Sequence, residues 1–183
     1  MSFLGRAFSF VTDVLMKVVP LDKKQKQAYD FYRSGMKAQG KGMTQYALHC
    51  YFESLKLEES PDDRSHTLYN IAEIYRNIGK NTLALEFFHQ AVSSNPELAK
   101  GYNAIGVIYH SQATRIILAG DESKYELAEQ FYDQAAEYLI KAVNLAPDDY
   151  LAARNWLLST KRAILTSEGD LFVPFSYISK GYF

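Results

Sequence analysis

The sequence predicts an all-α protein whose helical hairpins stack into a solenoid, and three observations support this prediction. A pattern of alanine, aromatic and apolar residues recurs about every 34 residues through the middle of the chain. Within each unit the apolar residues follow the spacing of one helix face. Glycine and proline stand where a hairpin must turn and end, as Gly79 and Pro96 do.

The second unit, residues 65–98, shows the pattern most completely. Gly79 lies where the chain turns between two helices, because a left-handed conformation is easiest for glycine. Ala84 and Ala91 are small, so the two helices can approach closely, and Phe88 fills the space beside them. This is the tetratricopeptide pattern, in which each unit is a helical hairpin that buries its apolar face only when units stack.

The third unit is predicted to be an elongated hairpin. The alanine of its second helix, expected at position 118, appears only at Ala135, about 17 residues later. Ser123 and Glu126 predict a capping box for that second helix. The long hairpin either contacts a partner or is only a stable, elongated repeat, and the sequence leaves both hypotheses open. The three predicted units occupy residues 28–64, 65–98 and 99–149, so the repeat region spans 28–149.

An amphipathic helix and a linker are predicted for residues 1–27. Apolar residues between positions 3 and 19 fall on one stripe at helical spacing, and Pro20 ends the helix. A basic helix with an apolar stripe can lie on an anionic membrane surface. The same stripe can instead cap the first repeat, and both hypotheses stay open. The residues expected to make the membrane or cap contact are Phe3, Leu4, Phe8, Val11 and Leu15.

A capping helix is predicted for residues 150–165, with Trp156 and Ile164 on its apolar side and Arg162 facing outward. Residues 166–183 form an aromatic tail that contains glycine and proline and is not expected to be helical. The tail either folds back onto the capping helix or binds elsewhere.

Composition and motifs predict neither catalysis nor a bound metal or cofactor. The net charge of -1 gives no electrostatic case for nucleic acid. Cys50 is the only cysteine, which excludes a disulfide framework within the chain and a cysteine zinc site. The four histidines have no metal-ligand spacing, and phosphate-binding, dinucleotide-binding and nucleophile-elbow motifs are missing from the sequence. An enzyme is therefore the weakest of the functional hypotheses.

A partner-binding groove is expected on the concave face, which the first helix of each unit lines. Tyrosine, arginine and methionine combine contact area with polar or adaptable tips, and asparagine can hydrogen-bond the backbone of a bound peptide. The expected groove residues are Tyr29, Tyr32, Arg33, Met36, His66, Tyr69, Asn70, Glu73, Arg76, Lys100, Asn103, Val107 and His110.

The groove lacks most of the carboxylate clamp by which some repeat proteins grip the acidic tails of heat-shock proteins. Asn70 and Lys100 match two of the five clamp positions. Tyr32, Met36 and Ala104 occupy the other three, so the double fork of charge-assisted bonds is incomplete. A role in gripping such tails is not expected.

The stretch 128–157, AEQFYDQAAEYLIKAVNLAPDDYLAARNWL, together with the insertion before it, resembles the photosystem I assembly protein family of plastids and cyanobacteria. Further matching segments are FSFVTDVLMKVVP, YDFYRSGMKAQ and LYNIAEIY, and the resemblance covers about residues 8–162. Two departures are Ala72, where the family usually has glycine, and the tail after Thr166, which extends beyond the usual end of the family.

The resemblance implies a non-catalytic assembly factor or chaperone that needs no cofactor. The implied partners are photosystem I core and stromal-side subunits and other assembly factors. The implied location is the stromal side of the thylakoid, with peripheral membrane association, in a plastid or its cyanobacterial equivalent. The absence of a recognisable transit peptide agrees with a plastid-encoded or cyanobacterial protein. The alternative is a general peptide-binding scaffold in another assembly or trafficking process.

Overall fold

The computed structural model describes residues 22–174, which form helices and one small antiparallel hairpin. This part of the chain contains no helix that is both long and apolar enough to span a membrane. The chain divides into two compact units between Glu59 and Ser60. Helices α1 to α7 span Lys23–Gly40, Thr44–Leu57, Pro61–Asn77, Asn81–Ser94, Ala99–Ala119, Tyr125–Leu145 and Leu151–Ser159, and strands β1 and β2 span Ile164–Leu165 and Leu171–Phe172.

The N-terminal unit is the hairpin of α1 and α2. Asp22 begins α1 with a capping box, in which its carboxylate accepts from the Gln25 backbone N–H at 2.8 Å. The helices meet closely at Gly35, where a Cβ would lie 2.7 Å from the Tyr51 ring. The buried Tyr51 hydroxyl donates to Gln39 Oε1 at 2.7 Å, so its polar end remains satisfied.

The C-terminal unit begins with the hairpin of α3 and α4. Ser60 caps α3 by accepting from the Asp63 N–H at 3.4 Å, and Pro61 occupies the first turn, where no N–H is needed. Gly79 turns the chain with a φ of 77°. Phe88 is fully buried in the core between this hairpin and α5. These contacts follow the tetratricopeptide pattern that the sequence predicts.

The third hairpin is elongated, as predicted, because α5 and α6 each have 21 residues whereas α4 has 14. The two long helices come close together at Gly106. A Cβ on Gly106 would lie 2.6 Å from Leu139 Cγ and 3.1 Å from the Ala135 carbonyl oxygen. The missing side chain therefore sets the distance between α5 and α6.

The turn between α5 and α6 differs from the predicted capping box. Gly120 ends α5 with a left-handed φ of 70°. Asp121, rather than Ser123, supplies a side-chain cap, but to a 3₁₀ turn: its carboxylate accepts from the Ser123 N–H at 3.2 Å, and α6 itself has no side-chain cap. One 3₁₀ turn follows, and α6 begins at Tyr125.

The capping helix is shorter than the predicted 150–165, because α7 ends at Ser159. Lys161 has a left-handed φ of 57°, which turns the chain away from the helix axis. The Arg162 N–H then donates to the Leu157 carbonyl at 2.9 Å and closes the helix end. As a result Ile164 lies in β1 and is 52% exposed, instead of lining an apolar helix face.

Arg162 is buried, which corrects the prediction that it faces outward. Only 8% of the residue is exposed. Its guanidinium forms ion pairs with Glu129 and Asp133 of α6, and the distance from Nε to Asp133 Oδ1 is 3.3 Å. It also lies 5.2 Å from the centre of the Tyr132 ring and 5.6 Å from that of Trp156. These charges and rings offset part of the loss of hydration, and Nε is buried without a hydrogen bond to a described residue.

The chain after Arg162 folds back against α6. Asn144 Nδ2 donates to the Leu171 carbonyl at 2.9 Å, and the Leu171 N–H donates to Asn144 Oδ1 at 2.9 Å. Leu171 is buried in the same apolar cluster as Leu157. The described part of the predicted tail thus packs against the repeat. Residues 175–183 and the predicted N-terminal helix with Phe3, Leu4, Phe8, Val11 and Leu15 lie outside the described residues.

We expect Gly106→Ala to destabilise the third hairpin, because the new Cβ would overlap the buried Leu139 side chain. Overpacking costs about 1–3 kcal/mol, and the higher helix propensity of alanine offsets up to about 1 kcal/mol of it. Denaturant unfolding followed by circular dichroism would measure the change. The control is Gly40→Ala, whose Cβ meets no atom within 4 Å and which should leave the unfolding midpoint unchanged or slightly raised. An unchanged midpoint for Gly106→Ala would contradict the prediction.

Candidate partner-binding surface

In the N-terminal unit, the four predicted groove residues lie on one face of α1. Counted from Tyr29, the other three follow after three, four and seven positions, which is the spacing of a single helix face; they are Tyr32, Arg33 and Met36. The two tyrosines are half-buried, whereas Arg33 and Met36 are exposed. The Tyr32 ring lies 5.9 Å from Tyr51 of α2, so the hairpin core supports it. This face therefore presents supported aromatic rings beside an exposed cation and thioether.

In the C-terminal unit, the predicted residues of α3 and α5 meet at Lys100. The Lys100 Nζ lies 4.4 Å from the centre of the Tyr69 ring, which is a cation–π contact between α5 and α3. Tyr69 in turn packs on the buried Phe88 at 5.3 Å. The core of the repeat thus positions the charged end of Lys100. The groove cluster is defined as His66, Tyr69, Glu73, Arg76 and Lys100.

The positive charge of Lys100 affects the protonation of His66. Burial holds the pKa of Lys100 below its ordinary value, and Asp62 and Glu73 offset part of this effect. The pKa of His66 is also lowered, first by burial and then by the Lys100 cation. Its Nε2 lies 4.0 Å from Asp62 Oδ2, and its buried Nδ1 makes no hydrogen bond to the residues that the structure describes. The cluster therefore offers one half-buried cation, whereas the His66 Nδ1 atom is buried beneath the surface that a partner would meet.

Glu73 and Arg76 neutralise each other. The guanidinium donates twice to the carboxylate, from Nε to Oε1 at 3.0 Å and from Nη2 to Oε2 at 2.7 Å. This hydrogen bonding raises the pKa of Arg76. Burial, followed by the Glu73 carboxylate, raises the pKa of Tyr69 to about 12, so the phenol stays protonated and can donate. Arg76 is consequently less available to an anion than Lys100.

The other predicted residues of this unit occupy different surroundings. Asn70 and Asn103 are half-buried, and Val107 is 43% exposed. His110 is placed differently, because its ring meets Trp156 of α7 at 4.9 Å and Tyr132 of α6 at 5.3 Å. The structure therefore brings His66, Tyr69, Glu73, Arg76 and Lys100 together and packs His110 against the end of the repeat.

A row of rings that the sequence prediction missed lies between α5 and α6. Tyr109 stacks with Tyr138 at 5.9 Å and with Phe131 at 6.1 Å, and His89 of α4 meets Tyr138 at 5.5 Å. We call Tyr138, Tyr109 and Phe131 the aromatic stack. The seven-residue spacing of positions 131 and 138 indicates that both lie on one helix face, but only the structure shows that Tyr109 joins them.

The groove cluster has the composition of a binding surface. Residues 22–174 contain no group of three or more histidine, cysteine or acidic residues placed to hold a metal ion. Cys50 is a buried free thiol on α2. The groove cluster offers a cation, rings and hydrogen-bonding groups, which are the usual means of peptide recognition.

Comparisons with known proteins agree on the fold and on one family. The tetratricopeptide-repeat family model matches residues 65–98. The chain is 43% identical to the photosystem I assembly protein Ycf3 of Cyanophora paradoxa, over 90% of this chain and 93% of the relative. It is also 43% identical to the protein of that name from Rippkaea orientalis (strain PCC 8801 / RF-1), over 93% and 95% of the two chains.

A solved structure shows the same fold at low sequence identity. The first tetratricopeptide-repeat domain of Spaghetti (RPAP3), solved with an HSP90 peptide, has a TM-score of 0.55 and 18% identity to this chain. The similarity covers 74% of this chain and 90% of that domain. At this identity the likeness concerns the fold alone.

Acidification should destabilise the C-terminal unit through His110. Burial and the Arg162 guanidinium lower the pKa of His110 in the folded chain. The unfolded chain, in which the pKa is about 6.5, then binds more protons at lower pH. The contribution of neutral His110 to stability is therefore complete above about pH 6.5 and is lost as the pH falls through the lower, folded pKa.

His110→Phe keeps a ring against Trp156 and removes the titration. We expect the variant to lose less stability than the wild-type chain between pH 7.5 and 5.5, although His66 and His89, whose pKa values burial also lowers, remain. Thermal unfolding midpoints at both pH values would measure this difference. Equal losses in the two proteins would contradict the prediction.

Proposed function

We propose, because the chain belongs to the Ycf3 family of photosystem I assembly proteins, that it is a non-catalytic factor that holds photosystem I subunits while the complex is assembled. The observation that carries this proposal is the 43% identity over 90% of the chain, which includes the repeats and the elongated hairpin. The groove cluster supports it, since this surface is suited to holding a polypeptide.

The groove cluster would bind a subunit segment through three kinds of contact. Lys100 would attract a carboxylate or backbone carbonyl, because Tyr69 holds its ammonium in a half-buried position. The Tyr69 hydroxyl, which stays protonated, would donate to a polar group of the bound segment. Val107, which is outside the cluster but exposed on the same helix as Lys100, would add apolar contact. Such binding combines one charge-assisted contact with surface complementarity.

The mechanism is reversible binding that shields an exposed subunit surface until the complex forms. A subunit surface that later lies inside the complex is apolar and prone to aggregation while it is exposed. The factor lowers the free concentration of that surface by binding it, and it releases the subunit when native contacts compete. No covalent step or cofactor is required.

The proposed partners are photosystem I core and stromal-side subunits, together with other assembly factors. The proposed location is the stromal face of the thylakoid, or its cyanobacterial equivalent, with peripheral membrane association. Affinity purification of the tagged full chain from gently solubilised photosynthetic membranes tests the function. Enrichment of photosystem I core subunits over photosystem II subunits would support it. Recovery of unrelated proteins alone would favour a general peptide-binding scaffold.

Lys100→Met should reduce the recovery of photosystem I subunits by about threefold to tenfold, which corresponds to about 0.7–1.4 kcal/mol, the net contribution of one typical hydrogen bond. Methionine keeps the aliphatic contact with Tyr69 and removes the charge. The matched control is Lys80→Met, which makes the same change at an exposed lysine in the turn before α4. Circular dichroism should show equal helicity in both variants. Similar recovery with both variants would place the binding surface away from Lys100.

Deletion of residues 1–19 should release the protein from thylakoids and leave the repeats folded, if the apolar stripe of the predicted helix contacts lipid. Membrane flotation and thermal unfolding of the truncated chain measure the two properties separately. Retention on the membrane would contradict lipid contact. A large drop in the unfolding midpoint would instead identify the segment as a cap of the first repeat.

A further inference from the structure

The far end of the third hairpin extends beyond the helix that covers it. At about 1.5 Å per residue, α4 is about 21 Å long and α5 about 31 Å. The start of α5 faces the end of α4, because a Cβ on Gly101 would lie 2.6 Å from Val92 Cγ1. The same antiparallel register places Asn81, the first residue of α4, roughly opposite Gln112. The last two turns of α5 therefore lie past the end of α4.

A cavity of about 400 Å³ lies on this uncovered stretch, and we call it the tip cavity. Gln112, Ile116 and Ala119 of α5 line it, together with Phe131 of α6. Phe131 is also the last ring of the aromatic stack, so the cavity continues a row of rings. A pocket of this size and lining accommodates a large apolar or aromatic side chain.

Two basic side chains line the tip cavity, and only one of them is paired with a carboxylate of the described residues. Lys124 lies 2.8 Å from the Asp121 carboxylate, which neutralises it. Arg115 also lines the cavity and is exposed, and its side chain makes no ion pair or hydrogen bond with another described residue. The tip cavity thus combines an apolar pocket with one available guanidinium, which suits an acidic group on a partner.

We propose that the tip cavity docks an α-helix of a photosystem I subunit, with an aromatic side chain in the pocket and an aspartate or glutamate about one turn away on Arg115. A helix fits because α4, itself a helix, covers the earlier turns of α5 around Ile105 and Ile108. The bound helix would continue that packing over the exposed turns. The class of partner rests on the proposed function, whereas the helix, the ring and the carboxylate rest on the geometry of the tip.

Two features disfavour an anionic lipid surface as the occupant. Glu122 and Glu126 are exposed on the same tip, and neither makes an ion pair with another described residue. Their charges repel a continuous layer of anionic headgroups, whereas a bound helix brings a single carboxylate to Arg115. Lys124, the nearest basic residue to them in sequence, is already held by Asp121.

Site-specific photocrosslinking of the full chain tests this proposal. A benzophenone amino acid at Ala119, which is exposed at the end of α5, would be activated in gently solubilised photosynthetic membranes. The matched control carries the same amino acid at Ser123, which is exposed on the tip but does not line the cavity. Mass spectrometry would identify the crosslinked peptide. We expect a helical segment of a photosystem I subunit that contains an aromatic residue and an acidic residue within about one turn.

Charge reversal tests the role of Arg115. The identified segment, made as a synthetic peptide, should bind the Arg115→Glu chain about tenfold more weakly than the wild-type chain. Lys141→Glu changes the net charge equally at an exposed lysine of α6 outside the tip cavity, and it should bind nearly as well as the wild type. Circular dichroism would verify that both variants are folded.

Several results would overturn the proposal. These are crosslinks only to lipid or to a second copy of the chain, equal crosslinking from Ser123, no crosslink, or unchanged peptide binding by Arg115→Glu. If any of these occurred while affinity purification still enriched photosystem I subunits, only the tip inference would fail. Loss of that enrichment would contradict the proposed function itself.

Discussion

The close approach of α5 and α6 at Gly106 is the contact on which the rest of the C-terminal unit depends. With no side chain at this position, Leu139 lies against the backbone of α5, and the two 21-residue helices pack closely. The ring contacts on both sides of this pair require that separation. Tyr109 stacks with the rings of α6, while the next residue, His110, meets Trp156 of α7. A larger separation would weaken both groups of rings, so one glycine couples the helix pair to the end of the repeat.

Arg162 determines how the repeat ends. Burying an unpaired guanidinium costs several kcal/mol, so the chain must bring it to carboxylates. Glu129 and Asp133 are four residues apart on α6 and therefore lie on the same face, where both reach Arg162. The left-handed turn at Lys161 directs the chain toward them and stops α7 at Ser159. The short cap helix and the folded-back strand pair are thus consistent with satisfying one buried charge.

Periodicity predicted the repeat fold and the elongated third hairpin, because helix spacing, turn glycines and small contact residues are local signals. The same register predicted that Tyr69 and Lys100 share one surface, and the structure places them in contact, although their role in binding a partner stays a prediction. Local signals failed where a distant partner decides the outcome. Arg162 follows the periodicity of an exposed residue, yet α6 supplies two carboxylates that bury it. Sequence patterns did not predict the tip cavity either, because it depends on the length of α4 relative to α5 rather than on any motif.

Under the proposed function, modest contact areas are an advantage, because an assembly factor must release what it binds. Stable protein–protein interfaces bury about 1,200–2,000 Å² in total. One aromatic side chain in the tip cavity buries about 150–250 Å², which is much less than that even with a single cation beside it. The groove cluster likewise offers few charges to a partner, because Glu73 already neutralises Arg76. Lys100 is the main charge that stays available. Two weak sites on one chain can still hold a subunit, since binding at one raises the effective concentration at the other. When native contacts displace the subunit from either site, the raised effective concentration is lost. The second site alone is then too weak to compete with the assembled complex.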